Sequence, residues 1–230
     1  MMRTNFGRRA LVLAIRLASV AIGSMAYAQS PTDGAATSAF FSVSGVRVHY
    51  ILQGRAGSSV VLIHGWQGSA ESAWQGSGVM TALARNHRVV ALDLPGFGGS
   101  DKPETPDAYG VHWSEDVLRL LDHLKIGKAH IVGFSMGGMV TLKFAVDHPD
   151  RMLSGTLVGM GLLPEQVKAV RRPMIMLVGS KDPVRQAYIE PLLAVRRDWR
   201  VVEIIDADHV RSLFKAQFRE ELARWLDRSR

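Results

Sequence analysis

A serine between two glycines, Ser135 in the stretch Gly133-Phe-Ser-Met-Gly137, has the surroundings in this chain that best suit covalent chemistry. An apolar, β-branched run over residues 130–134 leads into it and a helix-like pattern follows at once, as in a nucleophile elbow. A serine hydroxyl attacks a carbonyl only when a base removes its proton and donors stabilise the oxyanion. The pattern therefore predicts a nucleophilic serine, and a structural Gly-Ser turn is the alternative.

The elements that must position this serine alternate between strand and helix along residues 40–226. An antiparallel pair is expected at 40–44 and 47–53, and buried strands at 60–64, 88–93, 130–134, 153–158, 174–178 and 200–205. Helices are expected at 74–86, 113–124, 136–147, 186–195 and 210–226. The strands are continuous apolar runs, which is typical of a mainly parallel sheet covered by helices on both faces. The sequence therefore predicts an α/β fold.

Four features, in order, resemble motifs of the α/β-hydrolase superfamily, and the resemblance covers essentially all of residues 40–226. They are His64-Gly-Trp66, Asp93-Leu-Pro-Gly-Phe-Gly-Gly-Ser-Asp-Lys-Pro103, Gly133-Phe-Ser-Met-Gly137, and the pair Gly179-Ser-Lys-Asp-Pro-Val184 with Ala207-Asp-His209. The resemblance implies the α/β-hydrolase fold and, because the chain order is Ser, Asp, His, a serine esterase or lipase-like member.

His209 and Asp182 are the expected partners of the serine. His209 follows the last predicted strand, so it should lie with Ser135 at the carboxyl edge of the sheet. There it can act as the general base that takes the serine proton and returns it to the leaving alcohol. Asp182 is expected to orient His209. The alternatives are a helix N-terminal histidine without a catalytic role and an Asp-Pro turn on the surface.

Other carboxylates are weaker candidates for the orienting acid. Asp206 and Asp208 lie too close in sequence to His209 to approach its ring easily, and Glu165 is a poor second near the sixth strand. Asp208 also stands where related sequences often have glycine, which leaves the geometry of the histidine loop open.

The resemblance places the oxyanion hole at the backbone amides of Met136 and Trp66. The Trp66 side chain is expected to line the acyl pocket or, alternatively, to be a buried core aromatic. His64 is expected to hold its loop rather than to react. No cofactor is expected, and the histidine spacing contains no HExxH or similar metal pattern.

Residues 162–172 alone occupy the place where many members of the superfamily insert a helical cap, so a cap is expected to be absent or very short. A capless Ser135 should open to solvent, which favours hydrolysis of accessible small-molecule carboxylic esters through an acyl-enzyme. Perhydrolase or cofactor-free haloperoxidase chemistry on the same three residues is the second hypothesis. A non-catalytic ligand-binding member of the fold is the third.

Residues 1–28 have the pattern of a secretory signal peptide: a basic start with Arg8 and Arg9, a mostly apolar stretch, and the small-x-small site Ala26-Tyr-Ala28. Cleavage after Ala28 would leave 29–39 as a flexible linker and 40–230 as the hydrolase domain. The expected location is periplasmic or secreted, without stable membrane insertion after cleavage. An uncleaved membrane anchor is the alternative.

The net charge of +7 comes partly from that segment. Four of the 28 Lys and Arg residues precede Ala28, and the remaining 24 face 21 acidic residues. No basic stripe with interleaved aromatics is present, so nucleic-acid binding is not expected. The chain has no cysteine, which excludes disulfide and thiolate chemistry. The oligomeric state is left open.

Overall fold

The structure, a computed structural model, describes residues 34–105, 109–160 and 167–229. The predicted signal peptide, with its cleavage site at Ala28, lies outside the described residues. Strand β1 (Thr37–Val43) begins before the predicted domain boundary at Phe40. Residues 37–39 pair with residues 50–52 of strand β2 (Val46–Gln53), so they belong to the sheet and not to a linker.

The described residues form an eight-stranded sheet with the strand order β1-β2-β4-β3-β5-β6-β7-β8. The six later strands are β3 (Ser59–Ile63), β4 (Arg88–Leu92), β5 (Ala129–Phe134), β6 (Met152–Val158), β7 (Met174–Gly179) and β8 (Arg200–Ile204). The pairings β1–β2 and β2–β4 are antiparallel, and all pairings from β4 to β8 are parallel. The predicted α/β class and mainly parallel sheet are confirmed.

Helices cover both faces of this sheet. They are α1 (Val79–Leu83), α2 (Trp113–His123), α3 (Met136–Asp147), α4 (Glu190–Val195) and α5 (Ala216–Arg228). On one face, Met80 of α1 and Phe218 of α5 share a core. On the other, Leu120 of α2 and Phe144 of α3 share a second core. Burying each such side chain stabilises the fold by about 1.5–3 kcal/mol, so the sheet is held in place from both faces.

Two predicted helices are interrupted. In place of the predicted helix 74–86, the chain forms a π-helical turn, Ala70–Gln75, and then α1. The two are separated because Gly78 adopts a left-handed conformation at φ 75° through which a helix cannot continue. The closing helix is split at Lys215, whose extended backbone separates a 3₁₀ turn, Arg211–Phe214, from α5.

Residues 159–173 connect β6 to β7. Within this connection 161–166 lie outside the described residues, so the expectation of a minimal cap stays a prediction. Among the described residues, no helix has both the length and the apolar character needed to cross a bilayer.

Candidate active site

The site residues predicted from the sequence follow four parallel strands at their carboxyl ends. Trp66 follows β3, Ser135 follows β5, Asp182 follows β7 and His209 follows β8. Parallel strands end at one common edge of a sheet, and open α/β sheets bind ligands there. The topology therefore gathers these residues at one edge, although they span much of the sequence.

Ser135 occupies a strained turn between β5 and α3. Its backbone has φ 50° and ψ −114°, which a residue with a Cβ adopts only under constraint from its surroundings. Two backbone hydrogen bonds supply that constraint. The Ser135 amide donates to the Val158 carbonyl at 2.8 Å, and its carbonyl accepts from the Gly138 amide at 2.8 Å. The half-buried side chain is thereby fixed above the end of β5.

The glycines on either side of Ser135 let the turn close. A Cβ at Gly133 would lie 2.0 Å from the Gly137 carbonyl oxygen, and a Cβ at Gly137 would lie 2.3 Å from the Ile63 carbonyl oxygen. Both distances are far below van der Waals contact, and the obstructing atoms are backbone. Any other residue at either position would force the elbow or strand β3 to move.

Asp182 and His209 are joined by a hydrogen bond. His209 Nδ1 lies 2.8 Å from Asp182 Oδ2, and the Asp182 side chain is fully buried. Asp182 Oδ1 also accepts a hydrogen bond from the Val184 amide at 2.9 Å. An ionised carboxylate is an acceptor only, so Nδ1 of a neutral His209 carries the proton and Nε2 carries the lone pair. This is the tautomer that a general base requires.

Residues that adjoin or hold the Ser135 backbone lie against His209 and Asp182. The Phe134 ring lies 4.9 Å from the His209 ring between centroids. Gly159 follows the residue that holds the Ser135 amide, and a Cβ there would lie 2.9 Å from His209 Nδ1 and 3.1 Å from Asp182 Oδ2. Within the described residues no hydrogen bond joins Ser135 Oγ to His209. Catalytic hydrogen bonds often tighten only when substrate is bound.

Two backbone amides near Ser135 could donate hydrogen bonds to an oxyanion. The Met136 amide is in the first turn of α3, where amides have no partner within the helix. The Trp66 loop passes close to the serine, since a Cβ at Gly65 would lie 3.2 Å from Ser135 Cβ. The Trp66 side chain is 67% exposed and meets the Phe97 ring edge-on, which excludes the alternative of a buried core aromatic.

His64 holds the loop, as predicted. Its buried ring donates from Nδ1 to the Gly65 carbonyl at 2.8 Å and accepts from the Leu94 amide at Nε2, at 3.2 Å. Burial lowers the pKa of His64, against the opposing effects of the Gly65 hydrogen bond and the Asp93 carboxylate. The neutral ring thus ties the loop after β3 to the loop after β4.

The weaker carboxylate candidates have other partners. Asp206 pairs with Lys181 at 3.0 Å. Asp208 accepts from the Arg211 amide at 2.8 Å and so starts the following turn. Glu165 lies outside the described residues. Asp182 is the one of these carboxylates that contacts the His209 ring in the described part of the chain.

A cavity of about 410 Å³ lies beside the elbow and was missed at the level of sequence. Its walls come from α2 and α3 and include Trp113, Met136, Met139 and Val140. Met136, the residue after Ser135 in the chain, lines this largely apolar cavity, whereas Ser135 itself does not. The two exposed apolar residues of α3, Met139 and Val146, were the available signal, since a fully packed helix would have polar residues there.

The sheet order, the strained elbow after β5 and the histidine–carboxylate pair after the last two strands define the α/β-hydrolase architecture. A family model described as the alpha/beta hydrolase fold matches residues 58–210, about two thirds of the chain. The chain belongs to this family.

Individual relatives differ in chemistry. The dihydrolipoyllysine-residue acetyltransferase component of the acetoin cleaving system from Cupriavidus necator is 35% identical over 196 residues, 84% of this chain and 46% of that protein. The 2-hydroxy-6-oxo-6-(2'-aminophenyl)hexa-2,4-dienoic acid hydrolase from Metapseudomonas resinovorans is 31% identical over 173 residues, 73% of this chain and 56% of that protein. The chain spans about half the length of these curated relatives.

Solved structures share the fold. The 2-hydroxy-6-oxo-6-phenylhexa-2,4-dienoate hydrolase from Rhodococcus sp. strain RHA1 superposes with a TM-score of 0.74 at 21% identity, covering 85% of this chain and 99% of that chain. At this identity the likeness supports the architecture alone.

Proposed function

We propose that the protein is a serine hydrolase that cleaves carboxylic esters of small molecules through an acyl-enzyme on Ser135. The observation that carries this proposal is the 2.8 Å hydrogen bond between buried Asp182 and His209, at the same sheet edge as the strained Ser135 elbow. Relatives named as hydrolases of dienoic acids favour hydrolytic chemistry.

In the first half of the reaction, Ser135 Oγ attacks the ester carbonyl and its proton passes to His209 Nε2. Asp182 stabilises the imidazolium that forms, because its carboxylate already accepts the Nδ1 proton. The carbon–oxygen bond to the alcohol then breaks, and His209 returns the proton to the leaving oxygen. The products of this half are a free alcohol and an acyl group on Ser135.

In the second half, water replaces the alcohol. His209 removes a proton from water, hydroxide adds to the acyl carbon, and Ser135 leaves with the proton from the imidazolium. His209 is 31% exposed, so water reaches its ring from the solvent side. A partly open site suits this step, since water is the second substrate.

The negative charge that develops on the carbonyl oxygen in both halves would be stabilised by the amides of Met136 and Trp66. A single donor of this kind is worth about 3–4 kcal/mol of transition-state stabilisation in serine hydrolases. The first-turn position of Met136 adds the positive end of the α3 dipole.

The cavity beside Met136 suggests which esters fit. It is lined mainly by apolar side chains of α2 and α3, so an apolar acyl or alcohol group would lose its contact with water there. We therefore expect activity to rise with the length of an aliphatic acyl chain until the cavity is filled.

The test is a series of p-nitrophenyl esters of increasing acyl length, assayed with wild type, Ser135→Ala and the matched control Ser42→Ala. Ser42 is an exposed serine on β1. We expect Ser135→Ala to lose at least about 10⁴-fold in kcat and Ser42→Ala to keep wild-type turnover. An inactive wild type across the panel, or full activity in Ser135→Ala, rejects the proposal.

We also propose that the hydrolase is exported and cleaved after Ala28, on the sequence pattern of residues 1–28 alone. Expression of the full chain in a bacterial host, followed by fractionation and N-terminal sequencing, tests this. A periplasmic or secreted product beginning at Gln29 supports it, and an intact cytoplasmic chain contradicts it.

A further inference from the structure

Outside the Ser135 site, another serine of this molecule is hydrogen-bonded to a histidine–carboxylate pair. Ser38 Oγ on β1 lies 2.7 Å from Nε2 of His49 on β2, and His49 Nδ1 lies 2.7 Å from Oδ2 of Asp93 at the end of β4. This group of three residues is called the edge array below. Its chain of contacts is the one a nucleophilic serine requires, from hydroxyl to imidazole to carboxylate.

The edge array is separate from the Ser135 site. Strands β1 and β5 are four places apart in the sheet, and a strand spacing of about 4.8 Å puts them roughly 19 Å apart. His209, which packs against Phe134 at the end of β5, therefore cannot serve Ser38. Any activation of Ser38 must come from His49.

The hydrogen bonds around Asp93 fix the proton positions in the edge array. Its buried carboxylate accepts from the amides of Ala70 and Gly99 as well as from His49. With three donors directed at its two oxygens, this carboxylate serves as an acceptor in each of these hydrogen bonds. Neutral His49 therefore donates from Nδ1, and its Nε2 lone pair accepts the Ser38 hydroxyl proton.

In the edge array, the serine is exposed to solvent, whereas the histidine and the carboxylate are shielded from it. The His49 side chain is 12% exposed and Asp93 is buried, whereas Ser38 is exposed. Phe40 lies on the same face of β1, and its half-exposed ring is 5.0 Å from the His49 ring between centroids. The Arg47 guanidinium lies over the Phe40 ring. An apolar group of a substrate could contact the exposed part of the Phe40 side chain while its carbonyl meets Ser38.

We propose that Ser38 is a second activated serine, a site of covalent acylation by activated aryl esters. Ser38 Oγ bonds to the carbonyl carbon as His49 Nε2 takes its proton. The bond from that carbon to the aryl oxygen then breaks, and the proton passes to the phenolate. The products are a phenol and acyl-Ser38.

Acyl-Ser38 should accumulate rather than turn over. Ser38 lies inside a strand and not before a helix, so it has no counterpart of the Met136 amide. An alkyl serine ester also has a poorer leaving group than an aryl ester, so water cleaves it more slowly without an oxyanion hole. The predicted behaviour is one acylation event for each chain.

The first test uses Ser135→Ala protein, in which the proposed main nucleophile is absent. On addition of p-nitrophenyl acetate, we expect a burst of about one equivalent of p-nitrophenol, with acetyl on the Ser38 peptide by mass spectrometry. Ser135→Ala/Ser38→Ala should lose the burst and Ser135→Ala/Ser42→Ala should keep it. Equal acetylation of Ser38 and Ser42 would overturn the proposal, whatever the activity of Ser135.

The second test exploits the absence of cysteine from the chain. Ser38→Cys and Ser42→Cys each carry a single thiol on the same face of the same strand. A thiol beside His49 should ionise at lower pH, so iodoacetamide should alkylate Ser38→Cys at least about tenfold faster than Ser42→Cys at pH 6.5. Coinciding rate–pH profiles for the two variants would contradict an activated position 38.

Discussion

Two histidine–carboxylate pairs in this molecule share a geometry but not a setting. The Nδ1–Oδ2 distance is 2.8 Å between His209 and Asp182 and 2.7 Å between His49 and Asp93. Both carboxylates are buried. Asp182 also accepts a hydrogen bond from the Val184 amide, and Asp93 accepts hydrogen bonds from the amides of Ala70 and Gly99. The first pair lies at the carboxyl edge of the parallel strands, and the second joins the antiparallel strand β2 to the end of β4. What differs most is the serine that each pair faces.

Ser135 stands in a strained turn directly before a helix, beside the Met136 amide, whereas Ser38 lies in a regular strand at the end of the sheet order. A histidine–carboxylate pair can raise the nucleophilicity of either hydroxyl. Of the two serines, only Ser135 lies directly before the N-terminus of a helix. We therefore expect this backbone geometry, more than the acid–base pair, to decide whether a serine turns over substrate or is acylated only once.

The largest expected effect comes from removing each base in turn. His209→Gln should lower kcat for p-nitrophenyl esters by about 10⁴-fold or more, because glutamine cannot take the serine proton. Acetylation of Ser38 should continue in that variant, and His49→Gln in a Ser135→Ala background should stop it. Steady-state kinetics and peptide mapping measure the two reactions. Loss of both in the His209 variant would show that one base serves both serines.

The next effect concerns the two carboxylates. Asp182→Asn should fold but lose about 10⁴-fold in kcat, since an amide donor facing Nδ1 imposes the wrong tautomer on His209. Asp93→Asn should instead lose stability, by about 3 kcal/mol, because its amide group would face donors from Ala70, Gly99 or His49. Ester kinetics and urea unfolding separate the two outcomes. A stable Asp93→Asn protein would mean that this network is weaker than its geometry indicates.

A third buried carboxylate, Asp116 on α2, lacks the hydrogen-bond donors that Asp182 and Asp93 have. No described residue donates a hydrogen bond to its side chain, and burial raises the pKa of Asp116 to about 6. The folded state therefore binds this proton more tightly than the unfolded state. The resulting stability is full below about pH 4 and is lost as the pH rises through 6.

Asp116→Asn keeps a neutral group at that position at every pH. We expect it to raise the free energy of unfolding at pH 7 by up to about 3 kcal/mol and to change it little near pH 4. Urea unfolding at both pH values measures the difference. An equal change at the two values would argue against a raised Asp116 pKa and would leave Asp116 resembling the hydrogen-bonded carboxylates.

The residues around Ser135 were predictable because the strand–turn–helix pattern is visible in the sequence. Gly133 is required by a contact with Gly137 in the same turn, whereas Gly137 is required by a contact with Ile63 of β3. Asp182 and His209 were predictable because each follows a strand, and parallel strands end at one edge. The hydrogen bond between them is a consequence of that topology.

The edge array could not be predicted in the same way. Ser38 falls in a small, polar stretch with the composition of a linker, yet strand pairing with β2 orders it. Its contact with His49 depends on the register of β1 against β2, and the contact with Asp93 crosses from β2 to β4. No spacing in the sequence encodes these distances. The helix breaks at Gly78 and Lys215 were missed because apolar periodicity continues across them.

The left-handed backbone at Ser135 affects which substitutions at this position evolution would favour. A residue with a Cβ at φ 50° costs about 1–3 kcal/mol, and glycine relieves most of that strain. Ser135→Gly should therefore be more stable than wild type in thermal unfolding, while losing the reaction. Selection for a durable fold alone would replace this serine with glycine. Its retention among descendants of this chain would record continued selection for chemistry, and a glycine at 135 would date the loss of that selection.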